Sequence, residues 1–264
     1  MKVLISLTAH ENIEVIIDKC KNIVHLFKDP IIIVHINKLN NINLSDLYSY
    51  ASKINSNLHI NDRSIEIVHG DGRLIYAHFL NYKFAELRKI KFDYFIFDAS
   101  NTLCVKFNVE EYIKKFPICV NFNRYDSSIA WPHHSKLIND NVLQSLGFKQ
   151  LYISQHEGIV LNSDICIDFF EFFSNHYDFN YGYHYPTEEI WLPTILHKFV
   201  IEKGLESSLG KQITYMNWRT NLNISVEELN KVFNKEYSNY FFVKRIQREL
   251  NDPIRSLIRN LLNY

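Results

Sequence analysis

The run Ile31-Ile32-Ile33-Val34-His35-Ile36 admits few environments. Five of its six residues are β-branched and none of those five is polar, so the segment reads as a strand covered on both faces. Upstream, Val3 to Leu7 reads as a strand and Asn12 to Phe27 as an amphipathic helix, which completes a βαβ unit. Downstream the alternation continues: a helix over Leu47 to Ile54, a strand over Ser64 to Val68, a helix over Leu74 to Leu87, and a buried strand Tyr94-Phe95-Ile96-Phe97. Such alternation implies an α/β fold with a mainly parallel sheet and helices on both faces. Ligands then bind beyond the carboxyl ends of the strands. His35, Asn37, Asp98 and Ser100 stand at such ends. His10 and His35 either contact a ligand there or cap the sheet edge, and Arg73 in the turn before the third helix either meets a phosphate or serves the turn.

After residue 100 the pattern loosens into short strands and loops rich in Asn, Tyr and His. Cys119-Val120-Asn121-Phe122 and Leu151-Tyr152-Ile153 read as strands, Ser163 to Phe173 as a helix, residues 204 to 212 as an exposed connection, and Ile213 to Trp218 as a strand. Ser225 is placed to cap a helix from Val226 to about Phe233. No repeat or composition break marks a linker, so residues 1–264 read as one domain. Its last stretch alternates Ile246, Leu250, Ile254, Leu257, Ile258 and Leu261 with Arg245, Arg248, Arg255 and Arg259, and Asn251-Asp252-Pro253 supplies a cap and a proline at the first helical position. That basic amphipathic stretch, residues 241–264, either packs on the domain or docks on an anionic membrane surface.

Composition narrows the function classes. The 29 basic and 29 acidic residues cancel, which gives the chain no overall pull toward nucleic acid. The 16 Tyr and 19 Phe against 7 Gly argue against a glycine-rich phosphate loop and for stacking surfaces of the kind that suit sugars. Cys20, Cys104, Cys119 and Cys166 are far apart and lack metal-ligand spacing, as buried thiols of a reducing compartment do. The His133-His134 pair after Trp131-Pro132 also lacks partners at metal spacing, so this loop suits an acceptor better than zinc. No run reaches the roughly 20 apolar residues of a membrane span, and the first apolar run is too short for a signal sequence. The expected location is the cytoplasm, with at most peripheral contact at the inner face of the membrane.

The segment Tyr185-Pro186-Thr187-Glu188-Glu189-Ile190-Trp191-Leu192-Pro193-Thr194-Ile195 carries the strongest chemical signal. Pro186 fixes its own φ, Thr187 is placed to cap, and two adjacent carboxylates enter the first turn of an apolar helix that runs to about Lys203. Either both are ordinary first-turn acids, or one faces the helix dipole while its neighbour points into a cleft as a general base.

Taken in order, these segments resemble the core-2/I-branching β-1,6-N-acetylglucosaminyltransferase family, whose relatives include peptide O-xylosyltransferases and bacterial surface-polysaccharide enzymes. The matching stretches are Ala9-His10, His35-Ile36-Asn37-Lys38, Val68-His69-Gly70 before Leu74-Ile75-Tyr76-Ala77, Phe92 to Ser100, Glu157 to Ser163, Glu188-Glu189 with Thr194-Ile195, and Phe242-Val243-Lys244-Arg245-Ile246. Each is weak alone, and together they are collinear over nearly the whole chain. The chain departs from the family at Asn37, where Asp is usual, at His69 in place of Trp, and at Asp98 to Leu103 in place of a Ser-Gly-x-Asp-x-Pro turn.

The resemblance implies a GT-A-like, Rossmann-like fold, with residues 1–105 as the nucleotide-sugar-binding half and 106–240 as the acceptor and catalytic half. It implies an inverting, metal-independent glycosyltransferase that moves a sugar, by analogy GlcNAc, from a UDP-sugar co-substrate to a capsule or lipooligosaccharide acceptor, with no cofactor. Glu189 maps onto the catalytic base with Glu188 beside it, and Lys244 and Arg245 onto the cations that neutralise the leaving diphosphate. Arg219 is a candidate second cation, and the chain contains no Asp-x-Asp motif. His10, His35, Asn37, Arg73 and Asp98 fall on the donor side. Glu157, Gly158, Tyr183 and Trp131 fall on the acceptor side. Transfer of another sugar such as xylose or galactose, or a carbohydrate- or nucleotide-binding protein that has lost catalysis, are the alternatives.

Overall fold

A computed structural model describes residues 1–40, 42–68, 70, 72–126, 128, 133–217, 222–234 and 236–264. In chain order it comprises β1 Val3–Ala9, α1 Ile13–Leu26, β2 Ile31–Ile36, α2 Leu44–Ile54, β3 Leu58–Asn61, α3 Leu74–Leu87, β4 Tyr94–Ala99, β5 Thr102–Cys104 and α4 Val109–Ile113. There follow β6 Ile118–Cys119, β7 Asn123–Arg124, α5 His134–Ile138, α6 Asn141–Ser145, β8 Tyr152–Ile153, β9 Val160–Asn162, α7 Ser163–His176 and α8 Thr187–Glu202. The chain continues through β10 Leu209–Gly210, β11 Thr214–Tyr215, α9 Val226–Phe233, β12 Phe242–Lys244 and α10 Pro253–Leu262.

Seven strands form the central sheet in the order β10-β6-β9-β4-β1-β2-β3. β4, β1, β2 and β3 run parallel, β9 runs antiparallel to both β4 and β6, and β10 is parallel to β6. The mainly parallel α/β fold expected from the alternation is therefore present. One core packs α1, α2 and α10 on one face, and the other packs α3, α7 and α8 opposite. Strand order reverses between β1 and β4, which makes the crevice at their carboxyl ends the place where such sheets receive ligands.

Side chains rather than propensity set several element ends. Asn12, Asn162 and Asp252 each accept a backbone N–H as N-caps of α1, α7 and α10, and Ser225 with Glu228 forms a reciprocal capping box on α9. Thr187 does not cap α8 as expected. It is the first helical residue, and its hydroxyl donates instead to the Gly72 carbonyl at 2.6 Å.

Three expectations need correction. The strand placed at Ser64–Val68 lies at Leu58–Asn61. Ile65 and Ile67 do align beside the end of β2, but largely through Asn37, whose amide nitrogen donates to Ile67 O at 2.7 Å while its oxygen accepts from Ile67 N–H at 3.0 Å. An alternating apolar run thus looks like a strand while much of its ladder is one side chain. The 204–212 connection is not simply exposed: β10 adds an edge to the main sheet, and a Cβ on Gly210 would come within 2.6 Å of Cys119 Sγ. The basic face of the last helix is also not free. Arg255 is fully buried against Asp18 at 2.7 Å, Arg259 reaches the same carboxylate at 3.0 Å, and Arg248 lies 2.7 Å from Glu11. Among the described residues no helix is long and apolar enough to cross a membrane. All four cysteines are buried free thiols.

Lys19, fully buried on α1, pairs with Asp98 at the end of β4 at 2.7 Å and donates to the Thr102 hydroxyl at 2.8 Å. Removing one partner of such a pair strands the other charge in low dielectric. Lys19→Met is expected to lower unfolding stability by about 3–5 kcal/mol, and Lys19→Met with Asp98→Asn to recover part of it, as read from denaturant midpoints.

Candidate active site

Pro193 sits inside α8 and has no N–H to give to the carbonyl of Glu189, four residues earlier. That carbonyl accepts the Ser154 N–H at 3.0 Å instead. The segment 154–158 is thereby fixed to the first turn of α8. Its far end is fixed to the sheet, since Gly158 N–H donates to Phe97 O at 2.8 Å and Ile213 N–H donates to Gly158 O at 3.1 Å. Gly158 has φ +82°, and a Cβ there would fall 2.2 Å from Thr214 Oγ1, so only glycine fits. Gly158 is a backbone hinge against β11 and contributes no ligand-binding side chain.

This framework gathers Glu157, Glu188 and Lys244 from three distant parts of the chain at the carboxyl end of β4. Lys244 leaves β12 and meets Glu157 at 2.7 Å, and His156 Nδ1 lies 3.5 Å from the same carboxylate. Burial opposes ionisation of Glu157, but the charges of His156 and Lys244 outweigh it and hold the carboxyl at about 2. Burial pushes His156 down to about 4, so at neutral pH Lys244 is the effective counter-charge. Glu188 is the opposite case. Burial, then the neighbouring Glu189 and Glu157 carboxylates, push it up to about 8, and its Oε2 has no hydrogen-bond partner among the described residues. At pH 7 the cluster therefore holds an ionised Glu157 and a protonated Glu188, with the half-buried Glu189 next to it in α8.

A second constellation occupies the crevice between β1 and β4. Glu11, buried just after β1, accepts from the Ser100 hydroxyl and from the His10 N–H at 3.0 Å, and Arg248 pairs with it from the C-terminal segment. Sequence reading gave Glu11 no role and counted Arg248 only among the arginines of the basic amphipathic stretch. The only available signal was an acid directly after a strand, because the partners stand 89 and 237 residues away.

The other expected site residues divide. His10 is half exposed at this crevice, and Arg73 is exposed at the start of α3. Arg245 takes a left-handed φ of 65° and donates to the Asn217 carbonyl at 2.9 Å. Asn37 is occupied by Ile67, and Asp98 is buried on Lys19, which takes both side chains away from a donor. His35 is fully buried, with Nε2 near the Ile65 N–H at 3.4 Å and its basicity lowered by burial to about 4. Tyr183 offers no open stacking face: it stacks on Tyr177 and meets Trp191 edge-on in the core. Arg219 and Trp131 lie outside the described residues. Among the described residues no group of three or more His, Cys, Asp or Glu side chains could hold a metal ion.

Two measurements check these charges. Lys244→Met leaves Glu157 buried without its cation and is expected to cost about 3–5 kcal/mol, with Glu157→Gln in the same chain recovering part. For Glu188 the folded value lies above the unfolded one. The folded state thus holds the extra proton between about 4.5 and about 8, and stability falls as pH rises through that window. Glu188→Gln is expected to flatten that fall in melts taken across it.

Comparison with known proteins places the chain as follows. No family model matches it. Chondroitin synthase of Pasteurella multocida (strain Pm70) is 26% identical over 246 residues, covering 86% of this chain and 25% of that protein. The chain thus spans about a quarter of the length of the curated relative it matches. Among solved structures, an active-site mutant of LgtC superposes over 100% of this chain and 95% of its own, with a TM-score of 0.46 and 10% identity. The apo form of the glycosyltransferase GlyE of Streptococcus pneumoniae TIGR4 covers 100% of this chain and 60% of its own, with a TM-score of 0.42 and 8% identity.

Proposed function

We propose that this chain is a glycosyltransferase domain that moves a sugar from a UDP-linked donor to a glycan acceptor by inversion and without a metal. One observation carries the reading: Glu157, Glu188 and Lys244 converge on the turn that presents Glu189, at the carboxyl end of a parallel sheet. The sequence likeness to a chondroitin synthase supports the same reaction class. GlcNAc as the transferred sugar, and capsule or lipooligosaccharide as the acceptor, follow from the family resemblance of the motifs.

In this reading Glu189 is the general base that takes the proton of the acceptor hydroxyl. A protonated Glu188 beside it spares the site a second buried negative charge. Lys244 has three N–H donors and gives one to Glu157, so it can serve the leaving diphosphate with another. Arg245, the next residue, is the second cation that the family resemblance assigns to the diphosphate. Inversion follows from a base and a leaving group held on opposite faces of the anomeric carbon.

Purified protein challenged with UDP-, GDP-, CMP- and TDP-sugars in EDTA tests the reading. One UDP-sugar is expected to raise the melting temperature, by an amount that corresponds to about 2.7 kcal/mol at 100 times its dissociation constant, and to release its nucleotide. Glu189→Gln is expected to lower transfer by about 10²–10⁴-fold while donor binding persists. Activity lost in EDTA and restored by a divalent ion, or untouched by Glu189→Gln, would overturn the metal-free mechanism or the base assignment respectively.

A further inference from the structure

A cleft of about 540 Å³, within the usual range of small-molecule sites, opens on Gln155 of the segment that carries Glu157. Asn121, Phe122, Asn123, Gln155, Thr214 and Tyr240 supply its chemistry, and no acidic or basic side chain lines it among the described residues. Its polar groups have fixed directions. Gln155 Nε2 donates to the Thr214 carbonyl at 3.0 Å, which leaves the carboxamide oxygen as the free end. That oxygen is buried and has no hydrogen-bond partner among the described residues, and the same holds for the Thr214 hydroxyl. Asn123 gives its Nδ2 to Ile153 O at 3.2 Å and so also offers an oxygen, whereas Asn121 uses its oxygen on the Gln212 N–H and offers its NH₂.

Buried polar atoms of native proteins find partners, and these ask for a particular kind. Gln155 Oε1 accepts only, so its partner must donate. A carboxylate or phosphate has no hydrogen to give, and among the described residues no lining cation offsets its charge. Hydroxyl groups donate and accept at once, and the ring faces of Phe122 and Tyr240 suit the apolar faces of sugar rings. The volume exceeds what one ring fills. We infer that this cleft is a subsite for an uncharged stretch of oligosaccharide.

Position ties the subsite to the cluster. Gln212 Nε2 donates to both Gln155 O at 2.9 Å and Glu157 O at 2.7 Å, and Ser154 of the same segment is bonded to the Glu189 carbonyl. A glycan lying on Gln155 therefore leads toward Glu157 and the first turn of α8. Its role as the acceptor rests on the transferase reading, while binding of the neutral saccharide does not.

Saturation-transfer NMR on the full chain, with chitotetraose, maltotetraose, a hyaluronan tetrasaccharide and uridine as probes, tests the inference. One of the two neutral tetrasaccharides is expected to bind at least about tenfold more tightly than the anionic one, a difference of about 1.4 kcal/mol. Tyr240→Ala, which removes a ring, and Asn123→Arg, at an exposed position where the new side chain fills the mouth, should each weaken that binding by about tenfold or more, with melting curves confirming the fold. Three results would overturn the inference: no transfer from either neutral tetrasaccharide at millimolar concentration, preference for hyaluronan or uridine, or binding that Asn123→Arg leaves intact. Nucleotide release from donor sugars, measured separately on the unaltered chain, reports on the transferase reading. Saccharide binding without that release keeps the subsite and removes the reaction, and release without saccharide binding does the reverse.

Discussion

The missing N–H of Pro193 is the constraint from which the site geometry follows. A proline in the second turn of a helix costs an internal hydrogen bond, and here the orphaned Glu189 carbonyl recovers it from Ser154. That bond, with the Tyr152 N–H donating to the Thr194 hydroxyl at 2.9 Å, ties the segment 154–158 to the first two turns of α8. Glu157, Gln155 and Gly158 all inherit their positions from it. The segment is pinned at its other end to β4 and β11, so it behaves as a rigid shelf with a charged side and a neutral side.

The charged side works by unequal partnership. Glu157 has a lysine at 2.7 Å and ionises readily, whereas for Glu188 burial and the neighbouring carboxylates outweigh the more weakly felt Lys244, and it stays protonated at neutral pH. Two acids of the same chemistry are driven apart by their surroundings, as acid and base partners in enzymes commonly are. The neutral side instead presents amides and rings. The two sides meet within the few residues from Gln155 to Glu157.

Much of the fold was legible in the sequence because hydrophobic period reports local environment. The runs at Val3, Ile31 and Tyr94 gave three of the parallel strands, and capping residues at Asn12, Ser225 and Asp252 gave helix starts. The misplaced strand at Ser64–Val68 shows the limit of period: Asn37 supplies with its side chain what a backbone ladder supplies elsewhere, and alternation cannot distinguish them. Of the site, Glu188, Glu189, Glu157 and Lys244 stood out as residues, but their association did not, since 87 residues separate Glu157 from Lys244. Asp98, His35 and Tyr183 looked like ligand contacts because strand ends and aromatic loops often are. Asp98 and His35 were buried by Lys19 and by the 65–67 segment, both remote in sequence, and Tyr183 by packing on Tyr177 and Trp191, which are near in sequence but which no hydrophobic period brings onto it.

The pairing of Glu11 with Arg248, Asp18 with Arg255, and Glu157 with Lys244 has a temporal side. In each pair the acid precedes its cation along the chain, by 87 residues at the least. A ribosome therefore makes every one of these carboxylates well before the group that neutralises it. Until residues 244–259 emerge, Glu11, Asp18 and Glu157 lack the cations they are paired with in the folded chain. The last stretch of the chain thus completes the burial of acids made near its start.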